Sequence, residues 1–273
     1  MERYYLVFDF AIPFQMRDIA DGMFFEAGCK GVEDLKEENG IYYVRVYFDG
    51  NADFHPEETP LKEYLIGSFR IEEQDWNENW KEHFKPVEIG KSIVVVPSWL
   101  KEEFNPEDRI PIYIYPGQTF GTGSHESTKL MMKLMEEYVF PDCSFLDVGS
   151  GSGILSILAK KLGAGKVVAC DIQKEAKDEL ELNSLINGVS GVEFVHGSVD
   201  RVKGQFDIVV ANIEKHLLLP IFPEIVRKVS QTLLISGILE SQESDMVKEI
   251  EKHGFTVEKV ERENGWIAVA ARK

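Results

Sequence analysis

Several things are scarce in this 273-residue chain, and each scarcity closes off a class of function. There are three cysteines, Cys29, Cys143 and Cys170, far apart and without a CxxC pair. Neither a disulfide framework nor a cysteine zinc site fits that spacing. The thiols are expected to be reduced, with Cys170 a small buried strand residue. The six histidines are scattered, so no metal is expected. Positive charge is short: 30 Lys and Arg face 47 Asp and Glu, for a net charge of −17 and a pI near 4.8. That balance argues against a broad grip on nucleic-acid phosphates and fits a soluble protein or one with basic partners. No apolar run approaches the roughly 18 residues of a membrane span. Met1-Glu-Arg-Tyr-Tyr5 lacks the basic region and apolar core of a signal peptide. The expectation is a cytoplasmic monomer with no membrane partner.

What the chain does have is the stretch Phe145-Leu-Asp-Val-Gly-Ser-Gly-Ser-Gly-Ile-Leu155. Phe145, Leu146 and Val148 suit a short buried parallel strand. Gly149, Gly151 and Gly153 let the backbone turn sharply and leave bare main chain against which a ligand can lie. Ile154 to Ala159 begins an apolar helix whose N-terminal amides point back at that ligand. A dinucleotide turn, G-x-G-x-x-G, needs glycine where Ile154 or Ser156 stands. The run here is D-x-G-x-G-x-G, led by Asp147, and it resembles the first motif of the S-adenosylmethionine-dependent methyltransferases. A second strand, Lys166 to Asp171, ends in an acid 22 residues after Gly149. A carboxylate at that strand tip can accept hydrogen bonds from a ribose diol. The bland alternative is a glycine turn that merely closes a β-α unit.

Residues 1–75 read as a small α/β unit. Tyr4–Phe10 is a strand and Phe14–Ala27 a helix, with Pro13 at its first turn and Gly28 at its end. Gly31–Leu35 and Ile41–Phe48 flank a Glu37-Glu-Asn-Gly40 turn, a hairpin signal. A short helix around Leu61–Ile66 and a strand near Phe69–Glu73 complete a β-α-β-β-α-β order, the ferredoxin-like arrangement. This segment holds 17 acidic and 7 basic residues, a net of −10 out of −17. A basic macromolecule could dock there, although simple solubility explains the charge as well.

Residues 76–125 form a linker and the start of the next domain. Trp76 and Trp80 sit about one helical turn apart, a spacing that favours packing on one side. Lys91–Val96 and Ile110–Tyr115 read as strands. The glycine-rich loop Pro116–Thr128 leads into an amphipathic helix built on Leu130, Met131, Leu134 and Met135, where serine and threonine suit a helix cap.

Phe120-Gly-Thr-Gly-Ser-His-Glu-Ser-Thr128 ahead of the D-x-G-x-G-x-G turn resembles the ribosomal protein L11 methyltransferase family. Asp75-Trp76, Trp80, Pro97-Ser-Trp99 and Gly265-Trp266 share the resemblance, which runs from about residue 75 onward; before that only the order of elements agrees. The chain departs from the family at Ser124, Glu126 and Ser127, where threonine, proline and threonine are frequent. It departs again over Glu214–Leu217, in place of small residues.

The resemblance implies an α/β fold: a Rossmann-like class I methyltransferase domain over residues 126–273, with a mostly parallel seven-stranded sheet, behind an acidic substrate-recognition domain over 1–75. Glu175–Asn187 is then a helix, Val192–Ser198 a third strand, Phe206–Asn212 a fourth and Gln231–Leu239 a fifth. A helix near Met246–His253 and an antiparallel pair, Thr256–Val260 and Trp266–Ala271, close the order. Ser198 and Asp200 stand at the tip of the third strand, near where an adenine would lie, and His196 reads as packing or edge rather than as a base. Asn212 ends its strand beside the ligand crevice. It is followed by Ile-Glu-Lys rather than the Pro-Pro-Tyr type of run found in adenine- and glutamine-methylating enzymes, which counts against base methylation. A polar cap on a strand end is its plainer reading.

The resemblance implies S-adenosyl-L-methionine as cofactor, with Thr128, Gly149, Asp171 and Asn212 as contacts; Gly151 joins them from the geometry of the turn. Asn212 is the candidate catalytic residue, holding either the incoming amine or the amino-acid end of the cofactor. The expected function is N-methylation of lysine side chains or the N-terminus of ribosomal protein L11. The alternatives are a methyltransferase of another protein or a small molecule, and a cofactor-binding module without turnover.

Overall fold

The computed structural model describes residues 4–38, 40–72, 85–115, 123 and 125–273. Trp76, Trp80 and most of the loop 116–124 lie outside the described residues. The chain divides into two compact units, Met1–Phe84 and Lys85–Lys273.

In the first unit, β1 (Tyr4–Pro13), β2 (Gly31–Glu38), β3 (Ile41–Asp49) and β4 (Leu65–Glu72) form an antiparallel sheet in the order β2-β3-β1-β4. Strict alternation along β3 buries Tyr42, Val44, Val46 and Phe48 on one face. These pack with Phe10, Ile12, Phe54 and Leu61, and with Ala20 and Phe24 of helix α1 (Arg17–Glu26). Phe48 and Phe54 stack with centroids 4.2 Å apart. On the other face Asp9 and Arg45 pair through two hydrogen bonds of 2.7 and 2.8 Å. The helix expected over Leu61–Ile66 is instead a single 3-10 turn, Lys62–Tyr64, and Leu65 already begins β4. The segment after Pro60 is too short to repay helix nucleation before the sheet claims it.

The second unit takes in the strands of the segment 85–115. β5 (Val87–Ile89), β6 (Ile93–Pro97) and β7 (Ile110–Ile114) form a small sheet, antiparallel then parallel. It is pinned to helix α2 (Glu126–Tyr138) by Glu136, which accepts hydrogen bonds from the Lys91 and Ser92 amides and the Ser92 hydroxyl. Burial alone would raise the pKa of this carboxylate, but those donors outweigh it and hold it below the ordinary value.

The main sheet has seven strands: β8 (Ser144–Val148), β9 (Lys166–Asp171), β10 (Val192–His196), β11 (Phe206–Asn212), β12 (Val229–Leu239), β13 (Thr256–Glu263) and β14 (Trp266–Arg272). Their order is β10-β9-β8-β11-β12-β14-β13, with β8 to β12 parallel and β14 antiparallel to its neighbours β12 and β13. Helices α2 and α3 (Ile154–Lys161) cover one face, meeting Phe145, Val167, Ile208 and Leu234. Helices α5 (Lys215–Lys228) and α6 (Glu243–Lys252) cover the other, meeting Leu146, Val168, Val209 and Ile235. Both faces are buried, which is why these strands read as continuous apolar runs. From β8 the chain winds outward through β9 to β10, then returns to β11 on the other side of β8. That reversal opens a crevice at the carboxyl ends of β8 and β11. Among the described residues no helix is long and apolar enough to cross a membrane.

Candidate functional site

The crevice has a cavity of about 420 Å³ at the tips of β8, β9 and β11. Its first wall is the turn after β8. Gly149, Gly151 and Gly153 all have left-handed backbone, with φ of 72°, 49° and 80°. A side chain at any of them would be strained. The Gly149 and Ser150 amides donate to the Cys170 carbonyl on β9, at 2.8 and 3.2 Å, so the turn is tied to the neighbouring strand. From helix α4 (Glu175–Asn187), Asn183 adds a second tie. Its amide nitrogen donates to the Ser152 carbonyl at 3.0 Å, and its oxygen accepts from the Tyr115 amide at 2.9 Å.

Asp171 stands at the tip of β9 and lines the crevice, 9% exposed. One carboxylate oxygen accepts the Gly151 amide at 2.9 Å and the other the Gln173 amide at 2.9 Å. The carboxylate is therefore fixed by main chain on both sides, and its remaining lone pairs are available to hydroxyl donors. Ser198 and Val199, after β10, line the cavity beside it; Asp200 is exposed and does not. His196 makes a 3.1 Å contact with the Ile172 carbonyl. Cys170 also faces the cavity, but burial, then the charge of Asp147, pushes its thiol up to about 12. It serves as wall, not nucleophile.

Asp147 lies behind the turn, fully buried. The Ser156 hydroxyl donates to one of its oxygens at 2.7 Å, while the other has no partner. Burial pushes this carboxyl up to about 7; the Ser156 bond works against the rise and the nearby Asp171 charge adds to it.

The opposite wall is made by Asn212, Ile213, Glu214 and Leu217 at the end of β11 and the start of α5, with His125, Ser127 and Trp266. Asn212 donates to the Thr128 hydroxyl at 3.1 Å, and its buried Oδ1 has no partner. One of the two amide hydrogens is thus committed to Thr128, while the acceptor oxygen is unsatisfied within the protein. His125 caps helix α2 by accepting the Ser127 amide at 3.2 Å, and its ring sits edge-on to Trp266 with centroids 4.8 Å apart. The Ser236 hydroxyl lies 3.0 Å from the Ser127 carbonyl, joining α2 to β12.

Of the five residues singled out in the sequence, Gly149, Gly151, Asp171 and Asn212 line the cavity. Thr128 is fully buried behind Asn212 and is not among its lining residues. Sequence reasoning passed over Gly237, whose backbone is left-handed at φ 81° within β12. A Cβ there would come within 2.7 Å of the Ile213 backbone. The β12–β14 register shifts at this point. An isolated glycine inside an apolar strand is the signal for such a bulge, so the site was findable. Ile213 and Gln173 line the cavity too, and nothing in their residue types marks them out. Among the described residues no group of three or more His, Cys, Asp or Glu is placed to hold a metal.

The family model described as ribosomal protein L11 methyltransferase (PrmA) matches residues 25–273. A protein of that name from Caldicellulosiruptor bescii is 39% identical, with 95% of each chain covered. One from Thermoanaerobacter pseudethanolicus is 34% identical over 88% of this chain and 82% of its own. The crystal structure of a ribosomal protein L11 methylase from Lactobacillus delbrueckii subsp. bulgaricus superposes with a TM-score of 0.65 at 32% identity, covering 70% of this chain and all of the other. With a matching family model over most of its length and relatives this similar, the chain belongs to the ribosomal protein L11 methyltransferase family.

Proposed function

We propose that this protein is an S-adenosyl-L-methionine-dependent N-methyltransferase that modifies amino groups, of lysine side chains or the N-terminus, on ribosomal protein L11. The observation that carries the reading is the pairing, across one crevice, of a main-chain-anchored Asp171 with an Asn212 whose buried acceptor oxygen has no partner. When bound, the cofactor supplies a sulfonium methyl that is already activated. What remains for the protein is to position, orient and exclude water.

The residues present fit that group. Asp171 offers carboxylate lone pairs to a ribose diol. Gly149 and Gly151 let it approach bare main chain. Asn212 orients the incoming amine through Oδ1, and Thr128 acts behind it by fixing the rotamer of the amide. In this reading the seven-stranded sheet is a Rossmann-like class I methyltransferase domain. The first unit, with strand order β2-β3-β1-β4, is a ferredoxin-like domain whose second helix has shrunk to 3-10 turns. Its excess of acid, a net of −10 over residues 1–75, suits recognition of a basic ribosomal protein.

The test is transfer of labelled methyl from S-adenosylmethionine to purified ribosomal protein L11, with Asp171→Ala as control. Label that appears on the protein and vanishes in the variant supports the reading. Cofactor binding without label sinks the substrate assignment.

A further inference from the structure

The wall opposite Asp171 carries a second carboxylate. Glu214 stands two residues beyond Asn212, where α5 begins, and lines the crevice with its side chain 67% exposed. It makes a 3.4 Å contact with His216 Nδ1. The neighbouring cation does not neutralise it, because Lys215 Nζ is held by Asp245 at 2.8 Å. Among the described residues lining the cavity there are two carboxylates, Asp171 and Glu214, and no lysine or arginine. The Asp171 oxygens already accept main-chain amides; Glu214 is the acid turned to solvent.

Three residues on, and so on the same helix face, Leu217 also lines the cavity while 57% exposed. A large aliphatic side chain left in water at the mouth of a crevice, beside a carboxylate, complements a ligand with a cationic head on an apolar stem.

We propose that Glu214 and Leu217 form the entry for a substrate lysine. Glu214 draws the ammonium to the mouth, and Leu217 packs the methylenes that follow it. Glu214 draws either amine, whereas the Leu217 contact serves a lysine side chain alone, because an N-terminal α-amine has a positive charge and no stem. Glu214 contacts the substrate on its way in and is not the proton acceptor of the reaction. This rests on the methyltransferase reading above and assigns the substrate side of that same site.

The test uses the full chain with L11 and with two short peptides, one offering only an acetyl-capped lysine and one only a free α-amine. Glu214→Gln should raise KM for the lysine peptide about fivefold, the size of one charge pair near 4 Å in water, with the effect fading at high salt. Glu214→Lys should raise it further. Leu217→Ala should weaken the lysine peptide about threefold and leave the α-amine peptide unchanged. Equilibrium affinity for the lysine peptide, measured without cofactor, should fall in parallel, while affinity for S-adenosylmethionine stays put. Glu251→Gln, an equal charge change on α6, is the control. Unchanged KM in Glu214→Gln, equal losses on both peptides in Leu217→Ala, or a fall in cofactor affinity would each overturn the entry. If the unaltered protein labels no L11, the reaction class is at fault instead; if it labels L11 and Glu214→Gln behaves like it, the entry alone fails.

Discussion

The two walls of the crevice are built from different materials. The wall after β8 and β9 is main chain: three left-handed glycines, amides tied to Cys170, and a carboxylate clamped by the Gly151 and Gln173 amides. The wall after β11 is side chain: an amide held by Thr128, an imidazole edge-on to an indole, and the half-open Glu214 and Leu217. A wall of backbone can change only by changing the fold around it. A wall of side chains can be rewritten residue by residue. The first suits a ligand that stays the same from one enzyme to the next, and the second a substrate that varies.

This contrast is open to attack from its strongest side first. Asp171→Ala strands the buried Gly151 amide and the half-buried Gln173 amide as well as removing a carboxylate, so cofactor affinity should fall about 100- to 1,000-fold by titration calorimetry. A loss under tenfold would mean that the main-chain wall is not the cofactor's. Next comes Asp147, whose folded pKa of about 7 lies above its ordinary 3.8. Between those values the folded state holds a proton that the unfolded chain releases. This group therefore costs stability increasingly as pH rises from about 4 to about 7, by up to ~4 kcal/mol, and no further above that. In denaturant titrations across that window, Asp147→Asn should gain on the unaltered protein as pH rises, and a constant difference would refute the assignment.

Gly153→Ala places a Cβ 2.2 Å from Leu180 Cδ1 at a left-handed φ. It should lower stability by about 2–4 kcal/mol, seen as a melting temperature roughly 5–15 °C lower. The smallest effect belongs to the other wall. Thr128→Val removes only the acceptor that steadies Asn212, and should cut kcat for L11 about fivefold with melting temperature nearly unchanged. A collapse in stability there would erase the distinction between the walls.

The main-chain wall was also the more legible in the sequence. Glycine at every second position and an acid at the next strand tip leave few alternatives, and strands such as Lys166–Asp171 and Phe206–Asn212 begin and end where their apolar runs do. The side-chain wall was harder to see. Thr128 and Asn212 could be paired only through resemblance, because 84 residues separate them and no local pattern brings them together. Val87–Ile89 escaped notice because three residues show no periodicity. Its place depends on Glu136, nearly fifty residues away. The short helix expected after Pro60 failed for the opposite reason: local propensity was read where sheet pairing with β1 decides.

Ile213 links two of the glycines to sequence history. A Cβ at Gly149 would strike the Ile213 side chain at 2.9 Å, whereas a Cβ at Gly237 would strike its backbone at 2.7 Å. One glycine lies in the turn after β8 and the other within β12, and both press on one residue, but only the first conflict depends on what that residue is. Among relatives, a smaller residue at 213 should therefore accompany whatever tolerance position 149 has for bulk. Position 237 should stay glycine whatever happens at 213, because no substitution there can move the main chain out of its way.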